Sequence, residues 1–143
     1  YNANPDSMEK AIDFYNNIEW QGRKIAILGS MLELGKKSLE EHKKVCCLIS
    51  KTKTNVVFLM GGEMLDGFCA FAKTNGMNDV DISQLNTLHF KSNEIEYFLY
   101  KDDEMERLKV DVKAKVKQDD FLLLKASHGL HFEQLEDVLV LSK

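Results

Sequence analysis

Three short apolar runs, each leading into a glycine-bearing loop, constrain this chain more than any other feature. Lys24-Ile-Ala-Ile-Leu28 runs into Gly29, Asn55-Val-Val-Phe-Leu-Met60 into Gly61-Gly62, and Phe121-Leu-Leu-Leu124 into Lys125-Ala-Ser-His-Gly129. Runs of this length and character suit parallel strands buried on both faces. Helical stripes alternate with them. Asn4-Pro5 reads as an N-cap followed by proline in the first turn, and Met8, Ala11, Ile12 and Tyr15 repeat at helical spacing over about 5–17. Leu39, His42, Val45, Cys46 and Ile49 mark a second helix over about 37–51, and Met64, Leu65, Phe68 and Ala72 a third over 63–74.

The pattern continues after an irregular stretch. Residues 76–93 are polar, with a short apolar patch at Leu88 to Phe90, and read as an elaborated connection. Ile95 to Tyr100 is strand-prone. Asp103 with Glu106 makes a capping-box pattern ahead of Met105, Leu108, Val112 and Val116, and a last helix is expected over 132–140. Strand–helix alternation of this kind predicts an α/β domain built on a doubly wound, mostly parallel sheet. In such a sheet ligands bind beyond the carboxyl ends of the strands, so the loops after residues 28, 60 and 124 should share the functional edge.

At 143 residues, one domain accounts for the chain, and it can bury a core without metal or disulfide support. A net charge of −4 argues against nucleic acid as a partner. The three cysteines, 46, 47 and 69, form no C-x-x-C pair, which fits a reducing cytoplasm better than a disulfide framework. No apolar stretch is long enough for membrane insertion. The chain opens at Tyr1 with no Met and enters a helix almost at once, which reads as a piece of a longer protein.

Pattern alone gives little chemistry. Neither G-x-x-x-x-G-K-[ST] nor G-x-G-x-x-G occurs, so the glycine loops are most simply strand-to-helix turns. His42 lies on an apolar helical face and reads as structural. His128 and His131 have a spacing that metal sites use, but no third ligand is evident.

Three segments carry more. They are Y-N-A-N-P-D-S-M at 1–8, I-A-I-L-G-S-M-L-E-L-G at 25–35 followed by Glu41-His42, and L-L-K-A-S-H-G-L-H-F-E at 123–133. In order and separation they resemble the C-terminal domain of Mur ligases, in particular the type that adds D-alanyl-D-alanine to the peptidoglycan precursor. Two positions depart from that family's pattern. Ser30 stands where L-G-D-M-L-E-L-G has an acid, and Lys125-Ala-Ser-His128 stands where K-G-S-R has an arginine.

The resemblance implies the third domain of an ATP-dependent peptide ligase. The substrates would be UDP-N-acetylmuramoyl-tripeptide and D-alanyl-D-alanine, joined through an acyl phosphate. ATP and Mg would be bound mainly by a central domain outside this chain. The lone chain is expected to be monomeric and inactive, without catalytic or metal-binding residues of its own. The resemblance puts Tyr1, Asn2 and Asn4 against the nucleotide, where asparagine amides suit a purine edge or ribose hydroxyls. It puts Ser30, Lys125, Ser127 and His128 against the amino substrate. Other members of the superfamily, adding diaminopimelate, lysine or glutamate, remain alternatives, as does a non-catalytic binding module.

Overall fold

The computed structural model of the chain describes residues 3–76, 88–92 and 94–141. Helix α1 (Pro5–Asn17) starts as expected. Asn4 Oδ1 accepts the Ser7 N–H at 2.9 Å while Ser7 Oγ accepts the Asn4 N–H at 3.1 Å, a reciprocal cap that leaves neither orphaned. Strand β1 (Lys24–Gly29) follows, then a short 3₁₀ turn (Gly35–Lys37), α2 (Ser38–Ser50), β2 (Val56–Met60) and α3 (Gly62–Thr74). After them come β3 (Leu88–Ser92), β4 (Ile95–Tyr100), α4 (Met105–Lys115), β5 (Phe121–Lys125), a 3₁₀ turn (His128–Leu130) and α5 (Glu133–Leu141).

The strands form one sheet in the order β3-β4-β2-β1-β5, parallel except for β3. Strand side chains alternate between two cores. Ala26, Leu28, Val57, Leu59, Tyr97 and Leu99 pack on the face that holds Met8, Val45 and Phe68, from α1, α2 and α3. Ile25, Ile27, Phe58, Phe98 and Tyr100 pack on the opposite face with Leu108, Val112 and Leu135, from α4 and α5. Helices therefore cover both faces, and the doubly wound, mostly parallel sheet stands as expected.

Three details differ from the sequence reading. Leu88 to Ser92, expected as part of an irregular connection, is an antiparallel edge strand paired with β4; residues 77–87 lie outside the described residues. The Asp103–Glu106 box does not form: α4 starts after Glu104, whose carboxylate instead accepts the Lys101 N–H at 2.7 Å. Leu39, placed on the apolar face of α2, is 47% exposed, while His42, Val45, Cys46 and Ile49 are buried.

The strand order fixes where a ligand can enter. From β1 the chain steps outward through β2 to β4, then returns through α4 to lay β5 on the other side of β1. The loops leaving β1 and β5 thus lead to helices on opposite faces, α2 and α5. A crevice opens between such loops, at the switch point of the sheet.

Candidate functional site at the carboxyl edge of the sheet

Two of the expected motifs meet at this switch point. Gly29 ends β1 so close to the β5 loop that a Cβ there would lie 2.6 Å from Ala126 Cβ and 2.8 Å from the Phe132 ring. Beyond it the loop 30–34 is held through its backbone. The Ser30 N–H donates to Met60 O at 3.0 Å, the Met31 N–H to His42 Nε2 at 2.8 Å, and the Leu32 N–H to Ser127 Oγ at 2.8 Å. Three consecutive amides are thereby satisfied by three different segments. The Ser127 N–H returns a bond to Ser30 O at 3.2 Å, and its hydroxyl donates to Ala3 O at 3.3 Å.

The β2 loop joins the same edge. Gly61 has φ +110°, and a Cβ there would run into Ser30 Oγ, so glycine is required twice over. A glycine cannot cap the helix it starts, and α3 borrows its caps. Ser30 Oγ accepts the Met64 N–H at 3.0 Å, and Asp102 Oδ1, from the turn after β4, accepts the Gly62 N–H at 3.1 Å.

The expected site residues therefore fall into distinct groups. Ser30 and Ser127, at 1% and 3% exposure, reach the edge but spend their hydroxyls on loop and helix backbone. Lys125, half-buried, and His128, exposed, line a cleft of about 500 Å³ together with Phe132, Glu133 and Glu136. A hydrogen bond from its own backbone, then one from His131 Nδ1, holds the Glu133 carboxyl below the usual carboxylate range. The His128 and His131 rings lie 6.2 Å apart, and no group of three metal-binding side chains occurs among the described residues. Asn4 lies next to Ala3, whose carbonyl touches the site, but its own Oδ1 is engaged in the α1 cap. Tyr1 and Asn2 lie outside the described residues.

A wider cleft, about 730 Å³, opens at the opposite edge beside Trp20, Lys24 and Asn55. Two of its polar side chains are already paired: Lys24 Nζ donates to Tyr15 O at 2.7 Å, and Asn55 Oδ1 accepts the Lys24 N–H at 2.9 Å. It lies away from the switch point. The carboxyl-edge cleft is the smaller but chemically better placed of the two.

Sequence reasoning missed Asp102. Its signal was indirect, since a helix starting on Gly61-Gly62 needs a cap from elsewhere and Asp102 lies in the turn just after the neighbouring strand. Cys46 is buried and its thiol is pushed well up by burial, which makes it inert.

Known proteins resemble this chain in sequence and in fold. The UDP-N-acetylmuramoyl-tripeptide–D-alanyl-D-alanine ligase of Bacillus subtilis is 32% identical over 142 residues, 98% of this chain and 26% of that protein. The Treponema pallidum protein of the same name is 30% identical over 139 residues, 97% of this chain and 26% of its own. The chain thus spans about a quarter of the length of these relatives. In fold it matches the MurF ligase of Thermotoga maritima, solved in complex with ADP, with a TM-score of 0.65 at 24% identity over 99% of this chain and 27% of that one. Residues 1–128 match the family described as Mur ligase, glutamate ligase domain, and the chain belongs to that family.

Proposed function

We propose that this chain is the amino-substrate-binding domain of the ATP-dependent ligase that joins D-alanyl-D-alanine to UDP-N-acetylmuramoyl-tripeptide. One observation carries the reading: relatives aligned along nearly the whole chain at 30–32% identity bear that name. The geometry supports it with a rigid edge at the switch point of the sheet, flanked by a cleft with both charges. In this reading Lys125 and His128 face the carboxylate of the dipeptide, a role in which lysine and imidazolium serve as single donors where arginine would fork. Ser30 and Ser127 act through the loops they hold.

The chain lacks a phosphate-binding G-x-x-x-x-G-K-[ST] loop, and no metal-ligating trio occurs among the described residues. ATP and magnesium belong in this reading to the part of the enzyme outside the chain, where they supply the activated acyl group. This chain contributes orientation of the amine and exclusion of water from the acyl phosphate. Tyr1, Asn2 and Asn4 are placed by the same reading at the junction that meets the nucleotide. The enzyme is taken to be a cytoplasmic monomer, and no helix among the described residues is long and apolar enough to cross a membrane.

The test is phosphate release by the full-length ligase with UDP-precursor, ATP and magnesium. Release that depends on D-alanyl-D-alanine is expected. Release that depends instead on diaminopimelate, lysine or glutamate would assign the chain to another reaction of the superfamily. The isolated 143-residue chain should not turn over.

A further inference from the structure

His42 is fully buried, and both of its ring nitrogens are committed. Nε2 accepts the Met31 N–H at 2.8 Å, so that nitrogen carries no proton. Nδ1 then carries it and donates to Ser38 O at 2.7 Å. The Ser38 hydroxyl in turn donates to Glu63 Oε1 at 2.7 Å, which ties the start of α2 to the start of α3. The ring is thus a neutral connector between the β1 loop and two helices.

The sequence gives up helix stability to admit it. Gly67 lies inside α3, where glycine is disfavoured against alanine. A Cβ at that position would collide with His42 Cβ and come within 2.8 Å of the Lys43 nitrogen. Only glycine lets α2 approach α3 closely enough to bring the ring under Met31. The loop it supports ends in strain. Glu33, next after the pinned amides, has φ +67°, a left-handed backbone uncommon outside glycine. Residues held in such regions persist where the surroundings over-determine them, and they cluster at functional sites.

We propose that His42 is a positioning residue for the amino-substrate edge: by accepting the Met31 amide it holds the loop 30–34 in the conformation that receives the amine. It touches no substrate itself and acts through the backbone of Met31 and Leu32. The kinetic part of this inference rests on the function proposed above; the structural part does not.

The experiment compares His42→Leu, which keeps the bulk and removes the acceptor, with His42→Gln, whose amide oxygen can reach the Nε2 position. In the full-length ligase, hydrogen exchange is followed in the peptide covering residues 29–36. The leucine variant is expected to exchange roughly 10- to 100-fold faster there, the size expected for a buried amide left without its partner, with peptides from β1 and β2 unchanged. Its KM for D-alanyl-D-alanine should rise roughly tenfold while the KM for ATP moves less than about twofold, and glutamine should recover most of both effects. The proposal is overturned by unchanged exchange in the leucine variant, by faster exchange across all peptides alike, by parallel shifts in both KM values, or by a glutamine variant that behaves as leucine does. A wild-type enzyme that ignores D-alanyl-D-alanine would refute the proposed function alone, and the exchange data would then decide the role of His42.

Discussion

The two edges of this sheet are locked by different chemistry. At the amino edge the bolts are charged. Arg23 grips Asp120 through Nε at 3.0 Å and Nη2 at 2.7 Å, and the same Nη2 donates to Lys115 O. The Lys24 ammonium, drawn below its usual lysine range by burial, closes the end of α1 through Tyr15 O. Trp20 Nε1 reaches Asp119 O at 2.8 Å. At the carboxyl edge the main bolts on the β1 loop are neutral: two serine hydroxyls and one uncharged imidazole, each bonded to backbone amides. Neutral locks on the β1 loop leave its local field to the charged side chains around it, which suits the zwitterionic substrate proposed above. Charged locks suit an edge that only has to stay shut.

This contrast predicts that damage at the carboxyl edge reaches substrate affinity, whereas damage at the amino edge stops at stability. The largest effect is expected from Gly61→Ala, which combines a glycine-only backbone with a collision against Ser30 Oγ. It should cost about 2–5 kcal/mol in urea unfolding, from strain and overpacking together. A loss under about 1 kcal/mol would mean that the β2 loop yields easily and the edge is not rigid.

Ser127→Ala comes next. It strands the Leu32 N–H and frees Ala3 O, and should cost about 1–3 kcal/mol while raising the KM for the amino substrate. A stability loss with unchanged KM would erase the distinction between the edges.

Asp120→Asn should cost about 0.5–1.5 kcal/mol, because Arg23 is 37% exposed and partly screened, and should leave every KM alone. Burial opposes the charge on Asp120, but Arg23 and the Lys117 N–H outweigh it and hold the carboxyl below the usual range. A depressed folded pKa gives stability that is complete above the unfolded value of about 3.9 and is lost as pH falls through the folded value. The gap between wild type and variant should therefore stay constant above roughly pH 5 and close in more acid solution. A gap that widened on acidification would contradict the assignment. The smallest effect is reserved for Lys44→Ala, which removes a 3.4 Å pair with Glu9 between two half-exposed side chains and should change stability by less than about 0.5 kcal/mol.

The parts legible in the sequence were those with periodic burial. The strands at 24–28 and 55–60 are apolar because both faces are covered, that at 121–124 packs partly against both cores, and the observed strands match all three to within a residue. Leu88 to Ser92 was not legible as a strand, since its pairing with β4 is a tertiary fact with little local pattern behind it. The capping box at Asp103 failed because Glu104 found the Lys101 amide instead, two local solutions between which the sequence does not choose. At the site, the positions of Ser30 and Ser127 could be foreseen but not their partners. Those bonds join residues 34 and 95 apart: the pairing of β1 with β2 brings the first pair together, and the switch in strand order to β5 the second.

The place of β1 between β2 and β5 has a consequence for synthesis. Strand β1, with Ile25 to Leu28 wholly buried, is the first strand of this domain to be made, but one of its two hydrogen-bonding neighbours is Phe121–Lys125. Nearly a hundred residues must leave the ribosome before that neighbour exists. Until then β1 presents an unpaired apolar border, the kind of template on which nascent chains aggregate. Stop codons placed ahead of Phe121 should therefore yield not a slightly smaller domain but an insoluble one.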